Sequence, residues 1–341
     1  MSLTYAIPLF LVATVVIAVA GTRLAKVADQ LADLTGWGEA IFGAILLGMV
    51  TSLPGIITTV LAAVREHPTL AMSNAIGGIA AQTLFLSIAD LSYRRANLEH
   101  AAASLSNLMQ GSLLMGLLAM LVLGIAGPDF TIGHVHPFSL LLLLFYVLGF
   151  RLISRSQENP MWRPRQTHET VEDEADEENI WNLSLPKVAL RFAILAILVA
   201  SAGYAVGEAG IAIADQTGLS EGMVGALFTA VSSSLPELIV SIAAVRQGAL
   251  TLAVSNIIGG NTFDVLFVSM ADISYLPGSI LHAEGADSSL FVVALTLIMT
   301  ATLILGLLQR QEKGLGGIGW ESSLIIAVYV LGNLLWHFFP G

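Results

Sequence analysis

Two carboxylates stand in stretches too apolar to tolerate an unpartnered charge. Glu237 follows Ser232-Ser233-Ser234-Leu235-Pro236, and Asp264 closes the run Ser255-Asn256-Ile257-Ile258-Gly259-Gly260-Asn261-Thr262-Phe263-Asp264. Each lies about midway along an apolar segment, and an ionisable group at the bilayer centre costs about 2.5–3.5 kcal/mol on insertion scales. Antiparallel neighbouring helices bring two midpoints to one depth, so the pair can converge on one ion. Proline removes a backbone donor and clashes with the carbonyl a turn back. Carbonyl oxygens near 48–51 and 230–233 are therefore candidates for release, because Ser52-Leu53-Pro54 repeats the same break. Thr51, Ser52, Ser233 and Ser234 add hydroxyls, and oxygen donors of these kinds are what hard cations accept. The plainer alternatives are a packing kink with hydroxyls bonded to their own helix, and a protonated carboxyl pair sharing hydrogen bonds.

The elements that must hold these groups are membrane helices. Of 341 residues 55% are hydrophobic and 11% charged, against about a quarter charged in ordinary soluble chains. Apolar runs near 5–25, 38–65, 69–91, 103–126, 136–154, 186–206, 221–246, 250–273, 287–309 and 319–339 are long enough to span a bilayer core. The first run lacks a basic flank ahead of it and reads as a span, not a cleaved signal. The expected fold is thus an all-α integral membrane protein of ten transmembrane helices. Its domains are a five-helix half over 1–154, a loop over 155–185 and a second five-helix half over 186–341. With ten spans, thirteen of the fourteen Lys and Arg fall on one side and only Arg65 on the other. That asymmetry places the loop in the cytoplasm and both termini outside. The net charge of -11 is largely local, since seven acidic residues lie between Glu169 and Glu178. That run reads as a solvated linker, with a low-affinity divalent sensor as the alternative. The absence of cysteine excludes disulfides, thiolate metal sites and a cysteine nucleophile.

The chain also repeats itself. Residues 32–93 align without a gap on 214–275, an offset of 182, with 27 of 62 positions identical. Thr69-Leu70-Ala71 and Ser73-Asn74 recur as Thr251-Leu252-Ala253 and Ser255-Asn256; Gly77-Gly78 and Ser52-Leu53-Pro54 recur as Gly259-Gly260 and Ser234-Leu235-Pro236. Five helices separate corresponding elements, and an odd number reverses the direction of travel. The expected architecture is two inverted repeats with a site at their interface, a transporter signature. The glycine pairs permit close helix crossings. Asp90 and Asp272, near span ends, either line entrances or meet water. Glu39 and Glu221 start helices, where the dipole favours negative charge. All seven histidines fall in loops or at span ends, against a histidine-metal site deep in the membrane.

The second repeat, with Ser-Ser-Ser-Leu-Pro-Glu at 232–237 and Ser-Asn-Ile-Ile-Gly-Gly-Asn-Thr-Phe-Asp at 255–264, resembles the α-repeats of the cation/calcium exchanger superfamily, which includes sodium/calcium and proton/calcium exchangers. The resemblance implies a binding set of Glu237, Asp264, Ser233 and Ser234 from repeat two. From repeat one it implies Thr51 and Ser52, with Gln82 at the place of the family's Asn or Asp. It departs where the family's first glutamate falls on Gly55 and where the Ser of Gly-Ser-Asn becomes Gly78 and Gly260.

The expected function is a secondary cation antiporter, with Glu237 and Asp264 as metal ligands and Ca2+ or another cation exchanged for Na+ or H+. No other cofactor is implied, nor nucleic acid or a protein partner; the partners are inorganic cations and the lipid bilayer. Localisation is expected in a prokaryotic cytoplasmic membrane. No nucleotide-binding G-x-x-x-x-G-K-[ST] loop suggests an ATP motor. Gly55 prompts the alternative of a transport-deficient cation sensor or partner-binding subunit, in which case Gly55→Glu should strengthen calcium transport. An intramembrane enzyme is the remote third reading, since neither G-x-G-D nor H-E-x-x-H occurs.

Overall fold

The computed structural model describes residues 1–35, 48–93, 96–102, 104–158, 160–165, 167, 184–314 and 318–338. Glu39, the start of the second expected span and the acidic run lie outside them. The labelled helices are α1 (Leu3–Leu31), α2 (Leu53–Val64), α3 (Pro68–Ser92), α4 (Leu105–Ala126), α5 (Pro137–Glu158), α6 (Leu185–Thr217), α7 (Glu221–Ser233), α8 (Leu235–Gln247), α9 (Leu250–Ser274), α10 (Ala286–Gln309) and α11 (Trp320–Phe338). Among the described residues there is no strand, only the isolated bridge between Ile132 and Val135.

Among the described residues seven helices are long and apolar enough to cross a membrane, and the α7–α8 pair, bent by 46°, makes an eighth. Two shorter apolar helices, Leu53–Val64 and Trp320–Trp336, fall where the second and tenth spans are expected. The first and sixth spans run farther than their apolar cores. The helix continues until something stops it, and α6 ends only at Gly218, whose φ of 75° supplies a left-handed cap.

Burial sorts the helices into an inner and an outer set. In their most apolar windows α3 and α9 are 78% and 72% buried, whereas α5 and α6 are 22% buried. The outer helices expose Leu190, Ile194, Ile197, Leu144 and Leu148, a surface matched to hydrocarbon and unsuited to water. The inner pair carries the polar residues. α1 and α6 pack along each other through Phe10, Ala13 and Ile17 against Ala202, Val206 and Ala209.

Each serine-leucine-proline break is seated on a glycine of an outer helix. A Cβ at Gly21 would lie 2.5 Å from Cγ of Pro236, and one at Gly203 would lie 2.8 Å from the Pro54 carbonyl oxygen. Gly21 and Gly203 are themselves 182 residues apart, an identity just outside the aligned 62 positions. The glycine pairs of the inner helices divide their work. At Gly77 a Cβ would meet the Ala226 Cα at 2.5 Å, so α3 and α7 cross backbone to backbone there. Gly259 faces the Gln110 side chain instead, and Gly78 and Gly260 face Ser234 and Gln82.

Asp90 and Asp272 neither line entrances nor meet water. Both are fully buried and fasten segments outside their own helices. Asp272 accepts from the backbone of His136 at 2.7 Å and Ile280 at 2.8 Å; Asp90 accepts from Leu98 at 2.7 Å and Gly319 at 3.2 Å. Beside Asp90, between α3 and α4, Glu99 is buried with its Oε2 unpartnered. Burial pushes its carboxyl well above the ordinary carboxylate range, and the charges of Asp90 and Glu321 add to the rise. A carboxyl raised in the folded state stabilises below its unfolded pKa of about 4.3, and that stabilisation is lost as pH rises through the folded value. Thermal melts across pH should therefore show Glu99→Gln gaining stability over wild type as pH increases. A difference independent of pH would contradict this.

A candidate cation site between two broken helices

The site is built from interruptions. Ser52 is the residue between the helical turn at 48–51 and α2, and Ser234 is the residue between α7 and α8. Asp264 ends the first part of α9, which resumes at Leu266. Breaks at membrane depth survive only where protein or a polar cavity satisfies the backbone, and these are enclosed by protein. Part of that satisfaction is internal. The Gly48 carbonyl accepts from the Ser52 amide at 3.0 Å and from the Thr51 hydroxyl at 3.1 Å. The Ala230 carbonyl accepts from the Ser234 amide and from the Ser233 hydroxyl, each at 3.1 Å. Of the carbonyls proposed for release, these two are occupied, so side chains carry more of the site than the proline argument suggests.

Across the breaks the two halves of the chain meet. The Ser52 hydroxyl donates to Asp264 Oδ1 at 2.6 Å, and Gln82 Nε2 donates to Asp264 Oδ2 at 2.6 Å. Gln82 Nε2 also reaches Ser234 Oγ at 3.3 Å. Gln82 and Asp264 stand 182 residues apart, as do Ser52 and Ser234. The two contacts Ser52–Asp264 and Ser234–Gln82 are therefore the same contact made twice.

Glu237 sits in the first turn of α8, where the helix N-terminus favours negative charge. It is 1% exposed, and neither carboxylate oxygen has a hydrogen-bond partner. The Asp264 carboxylate and the Thr51 hydroxyl are close enough to act on it electrostatically. Gln82 Oε1 is likewise buried and unpartnered, as is Asn261 Oδ1 one turn before Asp264. Buried oxygens without donors are costly to leave unmade. Four such oxygens, on three residues, are left without donors here. Among the described residues no three His, Cys, Asp or Glu are grouped to hold a metal ion. A cation here would rest on two carboxylates completed by amide and hydroxyl oxygens, the chemistry of a hard, oxygen-seeking ion.

The expected residues are thus distributed as follows. Ser52, Gln82, Ser234 and Asp264 form one hydrogen-bonded cluster, with Thr51 and Glu237 beside it. Ser233 turns to its own helix. The motif at 255–264 also contains Asn261, while the asparagines that the repeat pairs are Asn74 and Asn256. Those two asparagines are structural: Asn74 Nδ2 bonds Thr59 at 2.8 Å, and Asn256 Nδ2 bonds Ser241 at 3.3 Å, the symmetry-related pair. Glu221 does more than start a helix, since it holds His67 Nδ1 at 2.7 Å and accepts from the Leu70 amide at 3.3 Å. An apolar cleft of about 480 Å³ between α4 and α5, lined by Leu108, Leu113, Phe145 and Leu152, contains no carboxylate.

Comparisons with known proteins bear on the fold and the family. The chain is 28% identical over 274 residues to the inner membrane protein YrbG of Escherichia coli (strain K12), which covers 80% of each chain. The H+/Ca2+ exchanger CAX shares its fold with a TM-score of 0.69 at 16% identity, over 98% of this chain and 82% of that one. The sodium-calcium exchanger NCX_Mj does so with a TM-score of 0.60 at 19% identity, over 97% and 99%. The family model described as sodium/calcium exchanger protein matches residues 5–153 and 187–336. With nearly the whole chain matched in two blocks, the protein belongs to the sodium/calcium exchanger protein family.

Proposed function

We propose that the protein binds a desolvated cation between Glu237, Asp264 and Gln82 and exchanges it for Na+ or H+ by alternating access. It is a secondary transporter of the cation antiporter class and not an enzyme. The observation that carries the reading is Glu237, a carboxylate with two buried, donor-free oxygens at a helix break beside a second carboxylate. Thr51, Ser52 and Ser234 complete the shell. If substrate and driving ion compete for the same carboxylates, only loaded states reorient, and exchange needs no ATP. Ca2+ is the substrate to test first, since the exchangers that share the fold carry it in their names.

The architecture behind the mechanism is ten spans in two inverted halves, 1–154 and 186–341, joined by a cytoplasmic loop, with both termini outside a prokaryotic cell membrane. Reciprocal contacts support the two-fold relation. Ser52–Asp264 is matched by Ser234–Gln82, and Gly21–Pro236 by Gly203–Pro54. A swap in which each partner takes the other's place is what a two-fold axis produces, and an axis in the membrane plane inverts the halves.

The test is flux in proteoliposomes with Na+, K+ and pH gradients varied separately. An inward-directed Ca2+ uptake driven uphill by an opposing Na+ or H+ gradient is expected. Cation binding without flux under any gradient would instead favour the sensor reading raised by Gly55.

A further inference from the structure

The internal repeat makes one position conspicuous. Glu237 is matched at the 182-residue offset by Gly55, where repeat one brings no carboxylate. The space a side chain would enter there is filled. A Cβ on Gly55 would lie 2.9 Å from Cε2 of Phe267, and the Ser233 hydroxyl is 3.7 Å away. The Phe267 ring is 3% exposed and held edge-on to Phe263 at 6.1 Å, which meets Tyr146 edge-on at 6.0 Å. Aromatic contacts of this geometry fix ring positions. One side of the centre is thus an anchored apolar wall, while among the described residues its carboxylates come from Glu237 and Asp264.

Resting on the exchanger reading above, we propose that Gly55, with the Phe267 ring filling the space beside it, sets the charge of the site: the centre carries two carboxylates and exchanges one divalent cation for two monovalent ones. One divalent ion cancels two carboxylate charges, and so do two Na+ or two protons. Both loaded forms then cross with no net charge, and the transport cycle is electroneutral. The alternative of an uncompensated charge is disfavoured at membrane depth and would couple to the membrane potential. A third carboxylate breaks the equality: a single divalent ion would leave one negative charge, whereas three monovalent ions would leave none.

The experiment is Ca2+ uptake into proteoliposomes under a fixed Na+ or H+ gradient, with the potential clamped by K+ and valinomycin at zero and at about 100 mV of either sign. For wild type the initial rate should change less than about 2-fold between clamps, whereas one elementary charge moving across the full field gives up to roughly 50-fold per 100 mV. In Gly55→Glu/Phe267→Ala, where the ring no longer occupies the space, uptake should become voltage-dependent by about 10-fold or more. Gly55→Glu alone should be worse than the double variant, because the ring remains in place. Voltage-dependent uptake by wild type would overturn the inference while leaving the exchanger intact. Equal voltage independence in a folded, active double variant would also overturn it. Wild-type protein that moves Ca2+ under neither gradient would overturn the exchanger reading instead. The wild-type measurement stands even where the double variant fails to fold.

Discussion

Glu237→Gln should abolish gradient-driven cation uptake while leaving the protein folded. A unit charge about 4 Å from a monovalent cation contributes about 4 kcal/mol at an effective dielectric constant of 20, on the order of 1,000-fold in affinity. The remaining oxygens of Asp264 and Gln82 recover part of this, so a loss of about 100-fold or more in transport is expected. Glutamine keeps the size and shape of the side chain. No donor is orphaned by the change, because neither oxygen of Glu237 receives a hydrogen bond. The melting temperature in detergent should therefore stay within about 3 °C of wild type, given that 1 kcal/mol moves a chain of this size by a few degrees. Flux assays and thermal melts on the same preparation separate the two effects. Wild-type flux in the variant would remove Glu237 from the mechanism, and a large fall in stability would make its role structural.

The second large effect concerns two adjacent glycines with opposite expectations. Gly77→Ala should destabilise the protein strongly, because the new Cβ falls 2.5 Å from the Ala226 Cα and 2.8 Å from its Cβ. Backbone is the obstacle, so no side-chain rotation relieves it, and α3 must move away from α7. The neighbouring contact is equally tight, with a Cβ on Gly225 only 2.8 Å from the Leu70 carbonyl oxygen. Overpacking typically costs about 1–3 kcal/mol, and a backbone clash belongs at the upper end or beyond. Gly78→Ala differs by one residue and meets only the Ser234 Oγ, at 3.6 Å. There the helix gains up to about 1 kcal/mol from replacing glycine within its interior. Thermal melts of the pair should move in opposite directions. A Gly77→Ala protein as stable as wild type would show that α3 and α7 do not cross at this point.

Why Gly77 matters more than its repeat mate Gly259 could not be read from the sequence. Both pairs match at the 182-residue offset, and the identity says only that the backbone needs room. The structure distinguishes them because Gly77 faces main chain and Gly259 faces the end of the Gln110 side chain. The breaks and the two acids were legible for a stronger reason. Serine-leucine-proline inside an apolar run and a carboxylate at mid-length are each expensive in a membrane, and together they mark a place that protein must enclose. Partner choice was not legible. Asp264 takes Ser52 and Gln82 from the opposite half of the chain, and no local pattern names a residue about 200 positions away. Asp90 and Asp272 misled for a related reason. Near a span end an aspartate reads as a water-facing group, yet both are buried because segments outside their own helices, before or after them in the chain, present backbone amides to them. The length of α1 and α6 exceeded the apolar cores because hydropathy marks membrane thickness, while helix ends answer to caps such as Gly218.

The Gly21–Pro236 and Gly203–Pro54 seats join the breaks to the outer helices. Each proline kink is thus tied to the α1 or α6 helix that packs over it. The hydroxyl of Thr14 on α1 also reaches Ser232 Oγ at 3.1 Å, next to the second break. The outer helices therefore contact the site's own backbone, in addition to forming the lipid-facing surface.

The central claim is that a cation occupies the space between Glu237, Asp264 and Gln82. Crystals of the wild-type protein soaked with Sr2+ or Cd2+, examined by anomalous diffraction and compared with Glu237→Gln crystals, address it most directly. An anomalous peak within coordinating distance of the Glu237 and Asp264 carboxylates, lost in the variant, is the expected result. A peak bound elsewhere, or carboxylates that turn away from each other with no ion between them at saturating cation, would contradict it.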